Sequence, residues 1–287
     1  MGGERMKGKR HILQTYTAVM TLIIFASCVK DKLYYTPHPD YGVAVITTDW
    51  SDISDEADVP QTYTLRIGAL EQEVSEKTNV FNQLLSPGEY TLTAYNKQDQ
   101  VSISDNIVSV KAVSAKYINP APSYLFASTQ GISVVADDTL RVTAQMKQLV
   151  RRLDLELTAT EGDYSRVQSA AATLTGVAST ADIATGERSA AAHVVNTLRQ
   201  DGNKFTIFFR LLGIVPAEAQ TLTVDITFNN GDTQQVVSDL TEAMREFNNG
   251  IKPVKLTGNL LLPVEAGVTG ATITGWNETE GGNGYAD

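Results

Sequence analysis

The residue with the most evident chemistry is Cys28, the only cysteine among 287 residues, directly following Leu22-Ile23-Ile24-Phe25-Ala26-Ser27. Arg5, Lys7, Lys9 and Arg10 lie upstream of an apolar core running from Ala18 to Phe25. A basic start, a short apolar core and small residues before a cut mark a secretory signal peptide, with a core too short to stay in a bilayer as a spanning helix. Met6-Lys7-Gly8-Lys9-Arg10 contains a complete basic start of its own, which makes Met6 an alternative origin. A cysteine just after the cut is what a bacterial lipoprotein requires. Its thiolate accepts a diacylglycerol, and the amine freed by cleavage accepts a third acyl chain. An ordinary signal peptide, or a short buried helix, would leave Cys28 as an odd thiol, whereas acylation consumes it. Phe25 stands where a lipoprotein signal more often has Leu. At about 0.8 kcal/mol per buried CH₂, two or three acyl chains hold a protein on a membrane without a protein helix.

Other reactive groups are sparse. His11 would leave with the signal peptide, His38 lies in a charged, proline-containing stretch, and His193 falls in a strand pattern, so no metal site is expected. With Cys28 acylated no cysteine nucleophile remains, no serine sits in a Gly-x-Ser-x-Gly elbow, and no phosphate loop occurs. Asp52, Asp55, Glu56 and Asp58 are crowded but lack the Gly-punctuated spacing of a calcium loop, so solvation is their expected role. Trp50 and Trp276 are the only tryptophans; Trp50, beside Asp49, is either a surface on which a sugar stacks or part of a sandwich rim. No catalytic constellation, small-molecule substrate or cofactor is expected beyond the covalent lipid on Cys28. The formal charge of −10 becomes −13 when residues 1–27, with four basic and one acidic side chain, are removed. That argues against nucleic acid as a partner.

The elements that carry these groups are strands. Val29 to Asp40 is charged and contains Pro37 and Pro39, the composition of an extended tether. From Tyr41 the apolar period becomes two. Val43, Val45 and Thr47 alternate with Ala44, Ile46 and Thr48, and Tyr63, Leu65 and Ile67 with Thr62, Thr64 and Arg66. Ser86-Pro87-Gly88 forms a turn, and the next strand puts Tyr90, Leu92 and Ala94 on one face. Val101, Ile103, Val108 and Val110 continue the alternation; Pro120 and Pro122 forbid a central strand around them. Leu125 to Ala127 and Ile132 to Val135 then close a first sandwich, with Asp137-Asp138 as the expected boundary. Beyond it Leu153, Leu155 and Leu157 face inward. Val194, Asn196 and Leu198 are expected to form a hairpin with Phe205, Ile207, Phe209 and Leu211 around Gly202. Leu222, Val224, Ile226 and Phe228 make another strand, and Asp239 to Asn248 suggests a short helix stopped by Gly250. The run Val268 to Trp276, before a polar Gly-rich end, reads as an edge strand of the second domain followed by a disordered terminus, or as a segment with a role of its own. The expected chain is all-β: signal peptide 1–27, lipidated tether 28–40, antiparallel sandwiches at 41–136 and 137–263, and a tail at 264–287.

Taken together, several stretches resemble the fimbrial anchor lipoproteins of the fimbrillin superfamily, which build type V pili on Gram-negative anaerobes. They are Cys28-Val29-Lys30-Asp31, Leu33-Tyr34-Tyr35-Thr36-Pro37-His38-Pro39-Asp40 leading to Thr47-Thr48-Asp49-Trp50, and Leu84 to Asn96. Leu149-Val150-Arg151-Arg152-Leu153-Asp154-Leu155 and Gly275-Trp276 complete the match, which covers most of the chain after the signal peptide. The resemblance implies two transthyretin-like sandwiches in tandem, no enzymatic activity, pilin subunits and outer-membrane lipid as partners, and a place on the outer membrane. It also implies joining by donor strands, in which a strand of one subunit fills a groove in its neighbour. A lipid-anchored member would keep its own first strand, here Val43, Val45 and Thr47, and would donate a strand from the tail, here Val268, Ala271, Ile273 and Trp276. Such a subunit attaches a pilus and ends its assembly. The runner-up reading is a surface glycan-binding lipoprotein, which the same export signal and sandwiches allow.

Overall fold

The computed structural model describes residues 40–263 and 271–280; Cys28, the rest of the chain before Asp40, and Val268 lie outside the described residues. The alternation resolves into β1 (Val43–Asp49), β2 (Tyr63–Ile67), β3 (Leu70–Val74), β4 (Thr78–Val80), β5 (Gly88–Tyr95), β6 (Val101–Ser104), β7 (Ile107–Val110), β8 (Phe126–Val134), β9 (Thr139–Gln145) and β10 (Lys147–Gln148). There follow β11 (Arg151–Glu161), β12 (Val167–Asp182), β13 (Arg188–Thr197), β14 (Arg199–Asp201), β15 (Lys204–Leu211), β16 (Thr221–Phe228), β17 (Thr233–Asp239), β18 (Val254–Leu261) and β19 (Thr272–Glu280).

These strands build two sandwiches. In the first, the sheet β4-β1-β9 shares a core with β10-β8-β5-β2-β3, joining Ile46 and Ala144 to Leu65, Leu92 and Phe126. In the second, β14-β15-β11-β18-β19 shares a core with β17-β16-β12-β7-β6, to which β13 adds by pairing with β12. Leu155, Phe209 and Leu256 there meet Ala172, Val224 and Val108. Full burial of a side chain such as Ile46, Leu65 or Leu155 is worth about 1.5–3 kcal/mol. Most ladders are antiparallel, as the turns imply. In each sandwich, however, the opening strand lies parallel to a strand from the far end, β1 to β9 and β11 to β18. Parallel neighbours need a long connection, and the rest of each sandwich supplies it.

Four expectations are corrected. The boundary at Asp137-Asp138 falls in a turn, where Asp137 has φ 57°, and the chain then returns as β9 to pair with β1. The first sandwich therefore runs on to Gln148. Second, β6 and β7 leave the first sandwich, and Ile107 to Ser109 pair with Thr180 to Asp182 of β12. Third, Val194 lies opposite Leu174 on β12; at Leu198, whose N–H reaches the Ala170 carbonyl at 2.9 Å, the chain crosses to the other sheet. Only Arg199 to Asp201 folds back on β15 around Gly202. Fourth, where a helix is expected over Asp239 to Asn248, Asp239 ends β17 and the chain goes on through turns at 241–246 to a 3₁₀ turn at Phe247–Asn249. Leu240, Met244 and Phe247 are buried there, so apolar anchors, not a helical ladder, fix the segment.

Candidate functional site

Two of the predicted site segments are described. The first is β1, which is paired on both sides, antiparallel with β4 and over seven residues in parallel with β9. Its core-facing residues are Ala44, Ile46 and Thr48, each 0% exposed, while Val43, Val45 and Thr47 form the opposite face. Thr48, the polar member, is satisfied: its hydroxyl lies 3.2 Å from the Tyr63 hydroxyl and accepts from Trp50 Nε1 at 2.9 Å. Burial raises the Tyr63 pKa. Entry to β1 is fixed by Gly42, where a Cβ would lie 2.5 Å from Val134 Cγ1 and 2.6 Å from the Val135 carbonyl. Gly42 also exchanges backbone hydrogen bonds with Leu85 at 2.8 and 3.0 Å.

The second segment is β19, the outermost strand of its sheet, antiparallel to β18. Ala271 and Ile273 are 9% and 8% exposed, and Trp276 packs half-buried against the same core. The Trp276 Nε1 donates to Ser238 Oγ at 2.6 Å, which ties β19 to β17 of the facing sheet. Thr257 pairs with Asn277 but Asn259 with Thr274, so β19 carries one extra residue. That is a bulge, made possible by Gly275 at φ 67°. Opposite it, Gly258 leaves room for the tail: a Cβ there would lie 3.2 Å from both Ile273 Cγ2 and Trp276 Cε3. Ala271, Ile273 and Trp276, three of the four tail residues singled out in the sequence, lie together along this edge, with Val268 outside the described residues; Gly258 has no signal in the sequence beyond being a glycine in an alternating strand.

Trp50 belongs to the rim of the first sandwich, edge to face with Tyr63 and Phe126 at 5.6 Å each, beside a cleft of about 510 Å³. A cleft of about 610 Å³ lies where the two sandwiches meet. Most of its charges are paired. Arg152 forks onto Asp154 at 2.8–2.9 Å, comes within 3.8 Å of Glu56 and stacks 5.0 Å over Phe208. Glu156 accepts from Lys204 at 2.7 Å and Lys255 at 2.8 Å, and those hydrogen bonds hold its carboxyl below the usual range. Burial, then the neighbouring Glu56, pushes the Tyr124 hydroxyl up to about 12. Among the described residues no group of three or more His, Cys, Asp or Glu is placed to hold a metal ion, and no helix is long and apolar enough to cross a membrane.

The family model of the fimbrillin-A associated anchor proteins Mfa1 and Mfa2 matches residues 41–280, both sandwiches and the tail strand together. No curated protein sequence matches the chain. Among solved structures, the fold is similar to the fimbrial anchor protein Mfa2 from Porphyromonas gingivalis, with 13% identity, 84% of this chain and 98% of that one covered, and a TM-score of 0.59. It is similar also to a candidate adhesin from Bacteroides ovatus, with 10% identity, 85% and 96% covered, and a TM-score of 0.60. A candidate polysaccharide-binding protein from Bacteroides thetaiotaomicron matches with 8% identity, 77% and 91% covered, and a TM-score of 0.54. At such identities the likeness is one of fold.

Proposed function

The chain belongs to the family of fimbrillin-A associated anchor proteins, and from that premise we propose that it is the lipid-anchored subunit that attaches a type V fimbrium to the outer membrane and ends its assembly. The observation that carries this reading is the family match over residues 41–280, which begins 13 residues after the single candidate lipidation site, Cys28. A role in fimbriae or adhesion at the cell surface follows from membership; lipid attachment and termination are the finer claims. Both sides of β1 are occupied, so a subunit that keeps this strand has no open slot for the strand of another. That supports a terminating role. The strand β19 is the last described element and lies on a sheet edge, and Ala271 just before it and Ile273 within it are buried in alternation, the pattern a donated strand needs. Donation requires β19 to leave β18 and fill the groove of a fimbrial subunit, whose backbone and pockets replace what is lost. The role is structural and uses no cofactor other than the acyl chains on Cys28.

The test is deletion of the gene in its host alongside a Cys28→Ala strain, with fimbrial length and attachment measured by electron microscopy and by the fraction shed into the medium. Long or shed fimbriae are expected in both. Unchanged fimbriae would overturn the anchor reading and bring glycan binding to the front.

A further inference from the structure

The sheet β4-β1-β9 has two edges, one along β4 and one along β9. Keeping β1 fills the middle of this sheet but leaves both margins, and a margin is where a further strand adds. At β4, the Thr48 N–H meets the Lys77 carbonyl at 2.9 Å and the Phe81 N–H meets the Ala44 carbonyl at 2.8 Å. The odd residues of that stretch therefore face β1, and the backbone of Val80 and Asn82 turns outward. At β9, the Asp138 carbonyl accepts from the Val43 N–H at 3.0 Å, and the Met146 N–H donates to the Asp49 carbonyl at 2.9 Å. Even residues face β1 there, and the backbone of Thr139, Arg141 and Thr143 turns outward.

Each margin is met by a glutamine from the facing sheet. Gln72 lies on the inward row of β3 between Leu70 and Val74, and Gln130 on that of β8, two residues before Ile132. Alternation calls for apolar side chains at both positions. The strand β3 ends its sheet, and β10 covers β8 only at Phe126 and Ala127, so β8 is an end strand at Gln130 as well. Both side chains thus cross from one sheet to the other at the rim of the sandwich. Gln72 Oε1 accepts from the Asn82 N–H at 2.7 Å, and its Nε2 donates to the Val80 carbonyl at 3.3 Å. One side-chain amide supplies the two bonds that a residue of a parallel neighbouring strand would make. Gln130 Nε2 donates to the Thr143 carbonyl at 2.9 Å, and at the start of β9 the Asp138 carboxylate accepts from the Thr139 N–H at 2.7 Å. Arg141, exposed between them, puts a charge on the margin. The end strand β17 of the second sandwich is different. Its even residues face β16, and among the described residues no side chain bonds to the backbone of Thr233, Gln235 or Val237.

We propose that Gln72 and Gln130 are edge guards: they occupy the backbone groups at which an alternating strand of another subunit would add, so that the sheet holding β1 accepts none. The inference rests on the terminating role proposed above and extends it to the two margins that a retained first strand leaves. A strand arriving at β4 or β9 has to displace an amide already bonded there, and gains no hydrogen bond at those groups in return.

The experiment measures, by fluorescence anisotropy, binding of a labelled peptide with the sequence of Ala271 to Glu280 to the full chain in detergent. The double variant Gln72→Met, Gln130→Met keeps the seams filled and removes the amides. It should bind the peptide about ten times more tightly than the unaltered chain, or better. Gln235→Met, which puts the same side chain on an outward row of β17, should not. Equal binding by the double variant and the unaltered chain, or an equal gain in Gln235→Met, would overturn the proposal. Hydrogen exchange on the unaltered chain covers the case in which the double variant unfolds: the Asn82 N–H should be protected relative to that of Arg141, which no side chain covers. Equal exchange at the two would remove Gln72 as a guard. Neither measurement involves a fimbrium or a membrane, so a failure here is distinct from a failure of the gene-deletion test.

Discussion

At the scale of single residues, the seat of the tail strand depends on an absent side chain. Gly258 is buried in β18, and any Cβ at that position presses on Ile273 and Trp276 at 3.2 Å and on Leu157 Cδ2 at 3.3 Å. Those distances are tight but not prohibitive, so alanine asks the neighbours to give by a few tenths of an ångström, while a branched side chain asks for more. We expect Gly258→Val to destabilise the protein by about 1–3 kcal/mol, the range for overpacking a core. The damage should be local. Amides of Thr272 to Glu280 should lose protection from hydrogen exchange while those of β1 keep theirs, with Gly258→Ala intermediate. Uniform loss of protection across both sandwiches would show that β19 has no separate seat at Gly258.

At the scale of elements, the proposed donation makes a sharper demand, because β19 must come away from β18. Asn259 and Thr274 are ladder partners, so a disulfide between Asn259→Cys and Thr274→Cys, in a Cys28→Ala background, holds the strand at home. The oxidised protein should fail to pair with a fimbrial subunit that lacks its own first strand, and reduction should restore pairing in size-exclusion chromatography. Pairing by the oxidised form would mean that another segment is donated. Period-two alternation announced most strands, because Leu153, Leu155 and Leu157, or Leu222 to Phe228, leave one face apolar and one polar. It does not announce the partner. Leu140, Val142 and Ala144 look the same whether they open a second sandwich or return to β1, and the pairing that decides lies 96 residues upstream. Nor did it fix the inward face of β1, since Val43, Val45 and Thr47 and Ala44, Ile46 and Thr48 are both apolar or β-branched sets. The tail strand was legible as a strand. Its bulge was not, because one glycine signals that the backbone turns without saying what it turns around.

At the scale of the whole molecule, the two sandwiches are not beads on a string. The hairpin β6–β7 comes from the first in sequence, but its Val108 and Val110 lie in the second core, which also takes in Tyr95, Leu125 and Ala127 from the first sandwich's β5 and β8 and the segment before β8. Side chains bind the junction further: Ser54 N–H donates to Gln148 Oε1 at 2.9 Å, Gln148 Nε2 to the Val150 carbonyl at 2.9 Å, and Arg66 to the Asp105 carbonyl. In the proposed role, force from a fimbrium on the tail reaches the tether through this one body, so the sandwiches should resist and yield together. Thermal unfolding should accordingly be a single transition with equal calorimetric and van't Hoff enthalpies. Val108 is 0% exposed, and truncating it to alanine should cost about 1–3 kcal/mol by leaving a cavity in the shared core. The same cost should register on both sides of the junction, in exchange-protected amides of β1 and of β16. Two transitions, with only the one carrying β16 shifted by Val108→Ala, would mean that the hairpin is an ornament of the second sandwich and that the anchor bends at its middle under load.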